Sequence, residues 1–147
     1  MTTIVQGAAL GIEPTGNLSA RGVAITQPCA TATVTVGAEV ANVRSVTIQL
    51  QTASLADIAY AETVHVILFA DAAKAGYVVT GGSTGIAIGT DGALLALVAK
   101  KVFLVTSEAD GDIDLTWTDT GSEAAYIGVR LPSGRIVMGD AALTNAT

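Results

Sequence analysis

Aromatic residues are scarce in this chain: Tyr60, Phe69, Tyr77, Phe103, Trp117 and Tyr126 are all it has. A glycosidase needs paired carboxylates inside a cleft with rings for sugars to stack on, and most of these six fall where a strand needs a core residue. Cysteine is limited to Cys29, which rules out an intrachain disulfide and a thiolate metal cage. Free cysteine is among the most buried residue types, so Cys29 reads as a small core hydrophobe. His65 is the lone histidine, and any Ser-His or Cys-His pair must use it. It sits mid-strand in "TVHVIL", and no G-x-S-x-G elbow accompanies it.

Positive charge is equally thin. Arg21, Arg44, Lys74, Lys100, Lys101, Arg130 and Arg135 are scattered along a chain of net charge −6, so the basic footprint that neutralises phosphates is missing and nucleic acid is not an expected partner. The longest apolar run, "GALLALVAKKVFLV", is broken by Lys100 and Lys101, short of the roughly 20 residues a membrane helix requires. The opening "MTTIVQGAALGIEPTG" has no basic residue before an apolar core, unlike a secretory signal. These absences make the expected protein soluble, made in the cytoplasm, without a cofactor and not an enzyme.

What is present is a pattern of period two. "TATVTVG" sets Ala32, Val34 and Val36 against Thr31, Thr33 and Thr35, and "VRSVTIQLQ" sets Val46, Ile48 and Leu50 against Ser45, Thr47 and Gln49. Each reads as a half-buried strand. In "TVHVILFAD", Val64, Val66 and Leu68 share one side, but Ile67 and Phe69 make the other side apolar too. "TASLADIAYAE" reads as a loop with a short turn. Seven further short segments, "GYVVTGG", "TGIAIGTDG", "ALLALVA", "KVFLVTSE", "DIDLTWTD", "AAYIGVRL" and "GRIVMGD", are bounded mostly by Gly, Asp or Ser-Gly turns. Many short strands at regular spacing predict an all-β antiparallel sandwich, Ig-like or jelly-roll-like, over residues 31–147.

Residues 1–30 differ, because Gly7, Gly11, Pro14, Gly16, Gly22 and Pro28 interrupt every pattern. They read as an extended N-terminal arm with short β pieces. Its apolar residues Ile4, Val5, Leu10, Ile12, Val23 and Ile25 are too many for a solvated tail, and make the arm a candidate interface. Two turns carry hairpin chemistry: Asp91-Gly92 in "GTDGA" and Pro132-Ser133-Gly134 in "LPSGRI". The glycine cluster "TGGSTGIAIG" lacks the Lys-Ser/Thr of a phosphate loop and reads as a flexible hairpin end.

The densest chemistry is "SEADGDIDLTWTD", with Glu108, Asp110, Asp112, Asp114 and Asp119. Asp110, Asp112 and Asp114 have the i, i+2, i+4 spacing that opens an EF-hand loop and are the calcium candidates of the chain. No glycine follows the third Asp, and Leu115-Thr116-Trp117-Thr118 keeps alternating where such a loop must curl. Ile113, Leu115 and Trp117 are therefore expected inside, with the carboxylates on the outer face and no metal required.

The runs "TVTVGAEVANVRSVTIQLQ", "GGSTGIAIGTDGALLALVAKKVFLVTSEADGDIDLTWTD" and "AAYIGVRLPSGRIVMGDAAL", including G-x-A-I-G-T-D-G and Y-x-x-x-x-L-P-x-G-R, resemble a family of small proteins encoded among the virion genes of tailed bacteriophages. The resemblance covers roughly residues 34–142, and the arm and "TASLADIAYAE" match less well. It implies a β-sandwich capsid decoration (cement) or head-fibre subunit on the outer capsid surface of the virion. The implied partners are the major capsid protein and further copies of the chain, as a homo-oligomer with a trimer the first candidate. On that reading the arm and adjacent strand edges bury apolar area on the shell. The alternative is a tail or fibre module that recognises a host carbohydrate or receptor through its loops.

Overall fold

A computed structural model describes residues 3–5, 8–12, 18–20, 23–24 and 27–146, with side chains over residues 27–146. In the N-terminal part, β1 (Thr3–Val5), β2 (Ala8–Ile12), β3 (Leu18–Ala20) and β4 (Val23–Ala24) pair in sequence as an antiparallel meander. The candidate interface residues Ile4, Val5, Leu10, Ile12 and Val23 belong to these strands, but their side chains lie outside the described residues, as does Ile25 altogether.

The body is a two-sheet sandwich with no helix among the described residues. One sheet holds β5 (Thr31–Val36), β6 (Val43–Gln51), β11 (Asp112–Thr118) and β8 (Gly85–Ile88), in that order. The other holds β13 (Ile136–Met138), β12 (Tyr126–Arg130), β7 (Thr63–Phe69), β10 (Val102–Thr106) and β9 (Ala93–Val98). All pairings are antiparallel. Leaving the β9–β10 hairpin aside, the strand order is A-B-E-D over G-F-C, that of a constant-type immunoglobulin sandwich. The hairpin is inserted between D and E and widens the second sheet beyond C.

The inward residues are those the two-residue period selects. Val46, Ile48 and Leu50 of β6, Val64, Val66 and Leu68 of β7, Ile113, Leu115 and Trp117 of β11, and Ile127 and Val129 of β12 are at most 1% exposed. Cys29 joins this core, and its burial, with Glu62 nearby, pushes the thiol pKa up, away from reactivity. One side of the sandwich is sealed: the Asp140 amide donates to Val34 O (3.0 Å), and Asp140 Oδ1 accepts from Val36 N (2.8 Å). The C-terminal segment is tied down by Asn145, 2% exposed, which donates to the carbonyls of Asn42 (2.7 Å) and Asp119 (2.8 Å) and accepts from Arg44 Nε (3.1 Å).

Two of the local expectations change and two hold. "GYVVTGG" is not a strand; it makes one bridge, Phe69 to Tyr77, and Val79 is 78% exposed. "TASLADIAYAE" is the loop expected, with turns at Ala53–Leu55 and one bridge, Gln51 to Asp57. Asp91-Gly92 is not a hairpin turn, because β8 and β9 lie in different sheets and the loop crosses between them. Its glycine still does turn work, at φ 101°. The Pro-Ser-Gly turn is a true hairpin joining β12 to β13, with Gly134 N donating to Leu131 O at 2.8 Å.

Candidate functional site

The two outer faces of the sandwich differ sharply in chemistry. On the four-stranded sheet, the side chains alternating with the core are Thr31, Thr33 and Thr35 of β5, Ser45, Thr47, Gln49 and Gln51 of β6, and Asp112, Asp114, Thr116 and Thr118 of β11. Cross-strand register places Thr47 opposite Asp114 and Gln49 opposite Asp112. Thr47 Oγ1 donates to Asp114 Oδ1 (3.3 Å), and Thr90 Oγ1 to Asp114 Oδ2 (3.0 Å). This face is hydroxyl-rich and acidic.

The outer face of the five-stranded sheet is mostly apolar. Leu95 lies opposite Leu104, which lies opposite His65, and Val102 lies opposite Ile67. Across β12, a side chain built at Gly128 would meet Phe69 Cε2 (2.8 Å), Ile136 Cγ2 (3.0 Å) and Met138 Sδ (3.1 Å), so these three close over the glycine. Phe69 stacks on Tyr77, itself 55% exposed, at 6.5 Å between ring centroids. None of the five strands carries a carboxylate; Arg130 and His65 are their only basic residues. His65 lies on the outer face, between Leu104 and Arg130.

At one end of the body, the loops around residues 57–59, 91 and 108–110 enclose an open cleft of about 670 Å³ lined by Asp57, Ile58, Ala59, Asp91, Glu108, Ala109 and Asp110. Of the calcium candidates, Asp110 sits in the turn and accepts from the Asp112 amide (3.3 Å), while Asp112 and Asp114 lie on the strand's outer face. Among the described residues no group of three or more His, Cys, Asp or Glu side chains is placed to hold a metal ion. Gly111 makes the turn at φ 83°, where a side chain would press Ile58 Cγ1 at 2.6 Å.

Asp112 is an electrostatic liability. Burial first, then the charges of Asp114, Asp91 and Asp110, push its carboxyl above the ordinary range, and its Oδ1 is buried without a partner. A carboxyl whose folded pKa is raised favours the native state when protonated and disfavours it once pH rises through the unfolded pKa toward the folded one. Asp112→Asn should therefore stabilise the protein at pH 7, by a few tenths to about 1 kcal/mol as for relief of like-charge neighbours. The gain should vanish at pH below the unfolded carboxyl pKa. Denaturant melts at the two pH values check both parts.

At the opposite end lies a feature that sequence reading missed. The segment "TGGS" is no hairpin end: it connects the two sheets and is wrapped around carboxylates from the β11–β12 loop. Glu123 Oε1 accepts from Thr80 N (2.7 Å), and Oε2 accepts from Thr80 Oγ1 (2.7 Å), Gly81 N (2.9 Å) and Gly82 N (2.8 Å). Asp119 Oδ1 accepts from Ser83 N (3.0 Å), and Lys100 Nζ donates to Gly82 O (3.1 Å) and Ser83 O (2.7 Å). Gly81 and Gly82, at φ 81° and 75°, aim successive amides at one anion, the arrangement called a nest. The anion here is the chain's own.

No protein-family model matches the chain, and neither the curated proteins nor the solved structures compared with it give a significant match.

Proposed function

We propose that the protein is a structural virion component of a tailed phage, a capsid decoration or head-fibre subunit bound to the outer surface of the major capsid protein. The observation that carries this reading is the contrast between the outer faces. A free-standing antiparallel sandwich normally solvates both of them, whereas here one is acidic and hydroxyl-rich and the other presents Ile67, Leu104, Ile136 and Met138 around Arg130. A half-buried apolar face that continues to the exposed Leu95 and Val98 and is rimmed by polar groups fits a protein contact. In this reading the five-stranded sheet joins the N-terminal arm in docking on the shell, and the acidic face points outward. Burial there contributes about 25 cal/mol per Å² before association costs, and repeated placement on a symmetric shell adds avidity.

The test is binding of purified protein to shells that lack it. Leu104→Arg and Met138→Arg, on the apolar face, should each weaken binding by about tenfold or more, as a charge in a buried contact does. Thr116→Arg on the acidic face should leave it within about twofold. Equal loss from both faces, or none from either, would remove the proposed mode of docking.

A second reading, a tail or fibre module for a host carbohydrate, draws on the cleft lined by Asp57, Asp91, Glu108 and Asp110. Its volume is within the range of small-ligand sites. Labelling of host cells that Asp57→Ala abolishes would favour it.

A further inference from the structure

We propose that two copies of this chain join through their β9 strands, paired antiparallel across a two-fold axis close to Leu95. The inference goes beyond attachment to a shell and stands independently of it.

Of the four sheet edges in the body, β5 and β13 lie together on the sealed side of the sandwich, and β8 is a strand of four residues. β9 is the remaining edge, six residues reading Ala-Leu-Leu-Ala-Leu-Val. Natural sheets blunt such edges with lysine, proline, inward charge or a β-bulge; β9 has no charged residue or proline, and its bulge spares Ala93–Ala96. Leu95, Leu97 and Val98 are 61%, 50% and 48% exposed. Its one irregularity is the register shift opposite Val102/Phe103, which leaves Leu97 as an extra residue and Ala93–Ala96 in regular pairing with β10. An apolar strand whose outer ladder has no partner among the described residues is a template for another strand.

The charges at its two ends decide what that strand is. β9 begins beside Asp91, and Glu108 from the neighbouring turn accepts a hydrogen bond from Gly92 N at 3.2 Å. It ends at Lys100, whose ammonium is held by the Gly82 and Ser83 carbonyls, and at Lys101, in the turn into β10. Between these ends the strand is uncharged, so it meets itself without like-charge contacts. Antiparallel self-pairing sets the acidic start of each strand against the basic end of the other, twice by symmetry. Parallel pairing would set like against like. Glu123 and Asp119, the other acids near Lys100, are occupied by backbone amides. A second copy of β9 therefore matches the edge in both polarity and charge, and the two five-stranded sheets become one continuous sheet. A two-fold pair differs from the trimer that the family resemblance implies, and measured mass separates the two.

Sedimentation velocity of the full chain from about 1 to 200 μM should show a reversible dimer, with dissociation on the order of 10 μM for so small a contact. Leu95→Arg should leave a monomer throughout that range, with an unchanged circular dichroism spectrum and melt. Lys101→Glu and Asp91→Lys should each weaken the dimer about 3- to 10-fold, as rim ion pairs present in duplicate. The double variant should restore it, which a general loss of structure would not do. A wild-type monomer at 200 μM, a trimer mass, or a dimer indifferent to Leu95→Arg would each overturn the proposal; the last two would leave shell attachment untouched.

Discussion

Replacing Glu123 by Gln should destabilise the protein by about 2–4 kcal/mol, nearly as much as replacement by Ala. The carboxylate accepts four hydrogen bonds, three of them from backbone amides of the 80–82 segment. A glutamine side chain offers a single acceptor oxygen and would turn its NH₂ toward donors. Hydrogen bonds to a charged acceptor contribute about 1.5–3 kcal/mol each at most, and this half-buried loop regains part of that from water. The pH dependence follows from the same contacts. Burial raises the Glu123 pKa, but the Thr80 hydroxyl and the amides of Gly82, Thr80 and Gly81 outweigh it and hold the carboxyl below its ordinary range. Glu123 therefore contributes stability that is complete above the unfolded carboxyl pKa and is lost as pH falls through the lower folded value. Wild type should lose stability across that acid window, and Glu123→Gln should lose less. Urea melts at several pH values between 7 and 3 would show this, and parallel curves would contradict it.

Trp117 carries the second large effect. It is fully buried on β11, and its ring lies under Gly82, where an added side chain would come within 2.8 Å of Cη2. Trp117→Ala should cost about 3–5 kcal/mol, the usual range for emptying a large aromatic site. Trp117→Phe should cost much less than its lost volume suggests, because the indole Nε1 is buried without a partner. Removing an unsatisfied donor recovers about 1–3 kcal/mol of desolvation cost, against the cavity that the smaller ring leaves. Gly82→Ala should fall between the two, since it both presses the ring and occupies φ 75°. As Trp117 is the sole tryptophan, these variants are best followed by circular dichroism.

Alternation made β6 and β11 legible with their faces assigned, since a strand between a core and solvent must repeat every two residues. The same rule moved Asp112 and Asp114 from a ligand set to an outer surface. Local signals failed where the answer depended on the partner strand. Asp91-Gly92 has the chemistry of a tight turn, yet nothing nearby in sequence says that β8 joins one sheet and β9 the other. "ALLALV" looks like a buried strand, and only the sheet order reveals an exposed edge. The Glu123 nest joins residues about forty apart in a chain with no phosphate-loop lysine, so its glycines read as slack when they are pinned. The apolar outer face was visible only in part, in Ile67 and Phe69, because its other half comes from β12 and β13.

We propose that this sandwich is a structural subunit seated on a capsid shell by its apolar side. Imaging intact particles with the protein present and absent tests it most directly. Difference density on the capsid exterior, fitted with the five-stranded sheet toward the shell and the Asp112–Thr118 strand facing solvent, is the expected result. Difference density confined to the tail tip, or none on the particle at all, would contradict it.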